Sequence, residues 1–544
     1  MSFEVTEKDL QGRIGKLTTK SGVVTTPTLL PVINPALQPK GLSELLHKVQ
    51  CEAIIANAYL LQKHFNEQVI QQGIHDFLGY NGVVMTDSGA YQILVYGDVE
   101  TTPEEIVEFE ELIQTDIAVI LDIPTGWNVT KTRATFTVNE TLRRAQATLA
   151  QIKDRKILWV GPIQGGNHMD LVAQSAQQIS RLPFDIYALG SPTQVMERYL
   201  FDILTDMIVT AKRNTPREKP LHLFGAGHPF MFSLAVALGC DTFDSAAYAL
   251  FARKDKYLTV YGTTHLNDLE YFPCSCPACQ KYDPHDLQEA PKREREQRLL
   301  KHNLFTCFLE IKRIKQAIHE GRLWELLEVR SRSHPTLFTA FKRLSHHRHF
   351  LEEATPSKKR KGIFLFDDYG LTRPAITRFH RKLEQWKPST QAKVLIFLPN
   401  PSSKPYHRSR EFRRLQRYLK AQIKDWRDLH FCLYGFPFGV VPLELDGVYP
   451  LSQHEASHST TFETSDYVTK TVWKYLHEGR HGCKHAVIHL SSAYSNHFHR
   501  YLEKSKEEEI NVCLNRVDEK MWSKMALERL VTKILSIVND INTH

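Results

Sequence analysis

Eight short apolar runs between residues 22 and 250 constrain this chain more than any other feature. They read TTPTLLPV (25–32), EAIIANAY (52–59), GVVMTDSG (82–89), IAVILDIP (117–124), ILWVGPIQ (157–164), DIYALGS (185–191), LHLFGAG (221–227) and TFDSAAY (242–248). Most are apolar at consecutive positions, so both faces of each strand must be covered, as in parallel sheets flanked by helices. Helical patterns lie between them, among them PEEIVEFEELIQ, NETLRRAQATLAQI and PTQVMERYLFDILTDMI. Eight strands alternating with helices predict an α/β fold, a (β/α)8 TIM barrel, with a doubly wound open sheet as the competitor.

A barrel carries its active groups where the strands end on the C-terminal side. Those positions hold Asp87, Asp122, Gln164, Gly190 with Ser191, Gly225 with Gly227, and Asp244. One aspartate at a strand end is ordinarily a helix cap or a turn former. Three on one rim, among so many glycines, indicate a site. Paired carboxylates can divide a displacement at a sugar carbon into two steps, one attacking the anomeric carbon and the other shuttling protons. A third, with an amide and backbone donors, can read guanine, whose N1–H and exocyclic amine both donate. Tyr91 in DSGAYQ offers a stacking face. Residue types alone leave sugar hydrolysis and phosphate chemistry open.

Of 9 cysteines, three fall in CSCPAC at 274–279. Cys274, Cys276 and Cys279 lie too close to bridge one another without strain, but thiolates on one tight turn converge on a tetrahedral ion. An amphipathic helix at about 291–320 follows, with Leu300, Leu304, Phe308, Ile311, Ile314 and Ile318 near helical spacing. His302, near its start, shares a face with Phe305 and Leu309, so it is expected to point inward and complete a Cys3His site. Four protein ligands close the coordination shell, which makes the expected zinc structural; a core histidine beside incidental thiols is the plainer alternative. Cys51, Cys240, Cys307, Cys432, Cys483 and Cys513 sit mostly in apolar segments and read as small core residues in a reducing compartment.

The remaining composition bounds the answer. The 544 residues suffice for two to four domains, and the net charge of +8 permits a polyanionic partner without demanding one. No apolar run approaches a membrane span, and MSFEVTEKDL lacks the basic-then-apolar pattern of a leader, so a cytoplasmic protein is expected. The expected division is a catalytic domain over 1–352 with a zinc subdomain at about 265–310, a linker over 353–362, and a smaller α/β domain over 363–544. Within the last, GIFLFDD, KVLIFLP, LHFCLYG and HAVIHLS read as strands. The basic stretches PKREREQRLLK (291–301), KKRK (358–361) and HRSREFRRLQRYLK (407–420) are candidate contacts to nucleic acid, although a charge run is usually a solvated face.

GRIGKLTTKSGVVTTPTLLPVINP, MTDSGAYQ, LDIPTG, PIQGG, LFGAGHP, LGCDTFDSAAYALFARKDKY and YFPCSCPACQ together resemble the tRNA-guanine transglycosylase family, most closely its archaeosine-type branch. The resemblance covers about residues 1–350 strongly and continues more weakly through PFGVVPLELDGVYPLSQHE. It implies a (β/α)8 barrel with a zinc subdomain. It also implies exchange of an encoded guanine in the tRNA D-arm, of the position 15 type, for 7-cyano-7-deazaguanine through a covalent Asp–ribose intermediate. Asp244 resembles the nucleophile and Asp87 the general acid/base, roles assigned both ways within the family. Asp122, Gln164, Gly190, Ser191, Ser88 and Tyr91 are implied to bind substrate, and Cys274, Cys276, Cys279 and His302 to hold one zinc ion. Two stretches depart from the family pattern: Ala90-Tyr91 stands for a small polar residue or glycine followed by phenylalanine, and Ser191-Pro192 for a small residue followed by an apolar one. The tail KMWSKMALERLVTKILSIVNDINTH reads as a helix rather than the PUA-like RNA-binding domain of many archaeal members, so a separate RNA-binding chain or a different grip is expected. Implied partners are tRNA, guanine and 7-cyano-7-deazaguanine, with a homodimer allowed and no membrane. A DNA-directed transglycosylase and a non-catalytic tRNA-binding paralogue are the alternative functions.

Overall fold

The computed structural model describes every residue except 1, 38–40, 93–100, 389–391, 424–425, 458–460, 503–509, 518–519 and 544. The chain divides into two compact units, Met1–Pro356 and Ser357–His544.

The first unit opens with an antiparallel sheet of β1 (Phe3–Asp9), β2 (Gly12–Thr18) and β3 (Val23–Thr26). Then come the eight expected strands: β4 (Thr28–Ile33), β5 (Ala53–Asn57), β6 (Val83–Asp87), β7 (Ile117–Val119), β8 (Leu158–Ile163), β9 (Ile186–Leu189), β10 (Leu221–Leu223) and β11 (Thr242–Ser245). They form a closed barrel in the order β10-β11-β4-β5-β6-β7-β8-β9, with every pair parallel, so the barrel prevails over the open sheet. Helices such as Ala58–Gln72, Pro103–Leu112 and Lys131–Gln151 return the chain between strands. Inward side chains fill the ring: Leu30, Ile55, Met85, Val119, Val160 and Ala188 pack in one cluster. Phe3, Leu17 and Val24 of the first sheet join that cluster, so β1–β3 serve the barrel core. Their alternation of buried and exposed residues over few positions gave no apolar run to detect.

One helical pattern breaks. PTQVMERYLFDILTDMI forms two helices, Thr193–Glu197 and Phe201–Arg213, separated by Tyr199 with φ +58°. After β11, the hairpin of β12 (Lys256–Thr259) and β13 (Gly262–His265) precedes the cysteine loop, and the long helix Lys292–Glu320 follows it.

In the second unit the main sheet has five strands, ordered β17-β16-β15-β19-β20. These are β15 (Val394–Pro399), β16 (Leu429–Gly435), β17 (Gly439–Pro442), β19 (His485–Ser491) and β20 (Asn511–Val517). All pairs are parallel except β16 with β17. The run GIFLFDD does not enter this sheet: β14 (Ile363–Leu365) pairs with β18 (His454–Ala456) instead. No helix among the described residues is long and apolar enough to cross a membrane.

Candidate active site

The C-terminal ends of the barrel strands surround a cavity of about 830 Å³ lined by Asp87, Asp122, Gln164, Gly190, Ser191 and Asp244, with Tyr91 also on its wall. Asp244, on β11, is held through one oxygen. The Gly225 N–H donates to its Oδ1 at 2.8 Å, and His222 Nε2 meets the same oxygen at 3.2 Å. A carboxylate only accepts, so Nε2 donates; Nδ1 lies 2.9 Å from the Thr242 hydroxyl. Among the described residues no hydrogen bond reaches Oδ2. Asp87, the last residue of β6, accepts from Asn57 Nδ2 at 3.2 Å. Burial, then the negative charges of Asp244 and Asp122, lift its pKa to about 7.

Asp122 forms a second subsite with Gln164. Gln164 Nε2 donates to Asp122 Oδ2 at 2.5 Å, while its Oε1 accepts from the Thr125 N–H (2.8 Å) and the Ser191 hydroxyl (3.0 Å). With its oxygen doubly engaged, the amide has one N–H left for a ligand. Burial raises the Asp122 pKa to about 6, against the hydrogen bond from Gln164. A Cβ at Gly190 would overlap the Gln164 amide, and the Gly190 N–H is given to the Ile163 carbonyl (2.8 Å). What Gly190 offers the cavity is therefore space. Ser191 sits at φ +61°, a left-handed conformation that its hydroxyl bond to Gln164 helps to hold.

Ser88 requires a correction. It is fully buried and its hydroxyl donates to the Ile120 carbonyl at 3.0 Å, so it braces β6 and does not line the cavity. Asn57 and His222, in contrast, contact the carboxylates directly and were not anticipated. Asn57 also caps the helix Ala58–Gln72, accepting from the Leu60 N–H at 2.9 Å, and in sequence a strand-end asparagine reads as no more than that cap.

Aspartates at the opposite end of the barrel behave differently. Asp116, Asp185 and Asp241 accept from the backbone N–H groups of Val84, Trp159 and Leu221 on neighbouring strands. Arg13 also forks onto Asp241 at 2.7 and 2.8 Å. Burial acts to raise the Asp116 pKa, but hydrogen bonds from His75, Val84 and Ser21 hold it below the ordinary range. These carboxylates are structural; at the mouth, Asp87 and Asp122 are instead raised toward the range in which they exchange a proton.

Cys274, Cys276, Cys279 and His302 bring their ligand atoms within 4.8 Å of one another. Cys276 Sγ lies 3.6 Å from Cys279 Sγ, and His302 Nδ1 lies 3.5 and 3.4 Å from these two sulfurs. A tetrahedron with metal–sulfur bonds of ~2.3 Å has edges of about 3.8 Å, so the donor set fits a metal. His302 Nε2 donates to the Leu258 carbonyl at 2.9 Å, which turns Nδ1 toward the thiols. The ring stacks on Tyr257 at 3.6 Å between centroids. His302 is buried as expected, although Leu309, taken to share its face, is 45% exposed. The inward direction comes from Leu299, Asn303 and Thr306 instead.

Two outcomes follow from this geometry. An ordinary aspartate has a pKa of ~3.9. Below that pH both folded and unfolded chains hold the Asp87 proton; as pH rises toward 7 the unfolded chain ionises first and stability falls. Asp87→Asn removes this loss, so it should raise Tm by a few degrees at pH 8, with the gain vanishing toward pH 4 in calorimetry. Cys276→Ser should lose about one equivalent of bound metal by elemental analysis and lower Tm by at least about 5 °C.

A family model described as queuine tRNA-ribosyltransferase matches residues 9–336, and one described as a domain of unknown function (DUF5591) matches residues 376–534. A tRNA-guanine(15) transglycosylase of Methanococcus aeolicus is 42% identical over 460 residues, which is 83% of this chain and 68% of that protein. The protein of the same name from Pyrobaculum aerophilum is 44% identical over 462 residues, covering 84% of this chain and 90% of its own. That of Saccharolobus solfataricus is 39% identical over 505 residues, covering 90% and 98%. With a barrel mouth of this kind, a Cys3His cluster and relatives matched along most of its length, the chain belongs to the tRNA-guanine transglycosylase family of pentosyltransferases, among archaeosine-type homologues.

Proposed function

We propose that this protein exchanges an encoded guanine of the tRNA D-arm for free 7-cyano-7-deazaguanine, with Asp244 as nucleophile and Asp87 as proton carrier. The observation that carries this reading is the asymmetry between the two carboxyls. Asp244 lines the cavity with one oxygen engaged by two donors and no described donor on the other, whereas Asp87, lifted to about 7, retains a proton near neutrality. Asp244 Oδ2 attacks the ribose anomeric carbon as the glycosidic bond breaks. The bonding pair leaves with guanine, which takes the Asp87 proton. The incoming base returns a proton to Asp87 while its ring nitrogen displaces Asp244, restoring both groups.

The second subsite fits a guanine-like base edge. Ionised Asp122 accepts from N1–H and the 2-amino group, and the remaining N–H of Gln164 donates to the 6-oxygen. Adenine would set its own amine against that donor, an unpaired clash that such sites reject strongly. Tyr91, 42% exposed on the cavity wall, is the stacking surface for the base. Zinc is the metal proposed for the Cys3His cluster, where it would brace the fold without taking part in the exchange. A tRNA substrate makes the cytoplasm the proposed location.

The second unit is the proposed accessory grip on tRNA. Its helix Arg410–Lys420 buries Phe412, Leu415 and Leu419 and exposes Arg410, Arg413, Arg414, Arg417 and Lys420. Among the described residues no carboxylate forms an ion pair with Arg410, Arg413 or Arg417, which favours a polyanionic partner. By contrast, in PKREREQRLLK, Arg295 forks onto Asp255 at 2.6 and 3.1 Å and Arg298 pairs with Glu294, so those two arginines are engaged internally.

Incubation with unmodified tRNA, labelled guanine and 7-cyano-7-deazaguanine should give incorporation into tRNA and none into DNA of the same sequence. Asp244→Ala should lower the rate at least about 10³-fold; an unaffected rate would remove Asp244 from the mechanism. Replacing Arg410, Arg413 and Arg417 together by alanine should raise the KM for tRNA about tenfold at unchanged kcat. The log–log salt dependence of binding should become shallower by two to three units.

A further inference from the structure

The cavity is larger than one base needs. Its volume of about 830 Å³ is near the upper end of what drug-sized ligands fill. Besides the acidic residues and Gln164, its lining includes Met196, Tyr199, Phe201, Phe230 and Phe251. The reading of the guanine edge by Asp122 and Gln164 uses none of these aromatic residues.

Tyr199 is its distinctive residue. It interrupts what would otherwise be one continuous helical pattern, and its φ of +58° is a conformation that a bulky side chain rarely adopts. Strain of this kind persists where surrounding contacts enforce it, and it concentrates at ligand sites. The contacts are present. The Tyr199 N–H donates to the Met196 carbonyl at 3.0 Å. The ring lies near-parallel to His334 (centroids 4.9 Å, 25°) and to Phe230 (6.2 Å, 11°), with Phe201 edge-on at 5.8 Å. His334 is itself fixed, its Nδ1 meeting the Thr336 hydroxyl at 2.8 Å as it caps the helix Pro335–Arg343. Despite this support, 44% of Tyr199 is exposed. A preorganised aromatic ring on a cavity wall, backed by other rings and open to solvent, has the form of a base-stacking platform.

We propose that Tyr199, supported by His334 and Phe230, stacks on the nucleobase adjacent to the extracted guanosine. The inference rests on the base-exchange reading, because withdrawing one nucleotide from its stack strips its neighbour of a stacking partner. The platform replaces that partner, and because every base has a π-face it imposes little sequence preference.

The test uses the full chain and a D-arm stem–loop carrying 2-aminopurine on the 5′ or the 3′ side of the target guanosine. Wild type should quench one of the two labelled positions on binding. Tyr199→Phe should retain the quenching, whereas Tyr199→Leu should abolish it and raise the KM for RNA about tenfold, with kcat changed less than twofold. Tyr199→Gly, which suits a positive φ, should lose quenching in the same way while keeping a Tm close to wild type, separating platform loss from misfolding. Equal quenching and KM in wild type and Tyr199→Leu would overturn the proposal. So would a raised KM for the free base at unchanged RNA affinity, which would put Tyr199 on the path of the incoming base. If wild type binds RNA but exchanges no base, the catalytic reading fails instead, and the quenching experiment still reports on Tyr199 alone.

Discussion

The ladder between β11 and β4 closes the ring, and the mouth depends on it. Its partners, Thr242 with Thr28 through Ser245 with Pro31, come from opposite ends of the barrel sequence. Without this pairing Asp244 would hang from an edge strand. With it, β4 and β5 stand between Asp244 and Asp87, and both side chains reach one cavity. Contacts of such high sequence separation form against a large loop-closure entropy, so the site is assembled only when the whole ring is. The N-terminal sheet supports that closure, since Phe3, Leu17 and Val24 complete the core beneath the strands.

Gathering carboxyl groups in a buried mouth works against stability. Burial raises the pKa of Asp87 and of Asp122, so the folded site resists their ionisation. The opposite end of the barrel shows what the same residue type does when its role is structural. There Asp116, Asp185 and Asp241 each meet a strand N–H that would otherwise be unsatisfied. The two ends thus use aspartate in opposite electrostatic senses. At the far end strand N–H groups meet the carboxylates; at the mouth burial and neighbouring carboxylates keep a proton on Asp87 up to near neutrality.

The barrel was legible because its strands are buried on both faces, which prints continuous apolar runs into the sequence. Asp87, Asp122 and Asp244 were legible as residues at the ends of those runs. Ser88 misled because the chain turns immediately after β6, and strand alternation cannot say which way a residue beyond the strand faces. Asn57 and His222 stayed hidden for a different reason: one doubles as a helix cap, and the other lies inside an apolar run, where a histidine looks like filler. The break at Tyr199 was invisible because glycine and proline, the usual punctuation, are absent there, and tertiary stacking enforces the turn. In the second unit β17 and β20 escaped notice, the first being a four-residue strand and the second, NVCLNRV, interrupted by polar residues.

The helix Lys292–Glu320 connects the metal cluster to the far side of the barrel. Near its start it contributes His302 to the thiol cluster. Farther along, Lys315 donates to the Thr25 carbonyl at 2.8 Å and His319 meets Glu7 at 2.9 Å, both on the N-terminal sheet. Just beyond its end the Leu323 N–H donates to Asp9 Oδ2 at 2.9 Å. Asn303, one residue after the metal ligand, bonds to Leu258 N–H and to the Tyr248 carbonyl, which lies in the helix that follows β11. A bound ion that fixes His302 therefore fixes the helix, and the helix spans from the segment leaving β11 to the sheet beneath the barrel. The cluster can govern the integrity of the catalytic ring while touching no reacting atom.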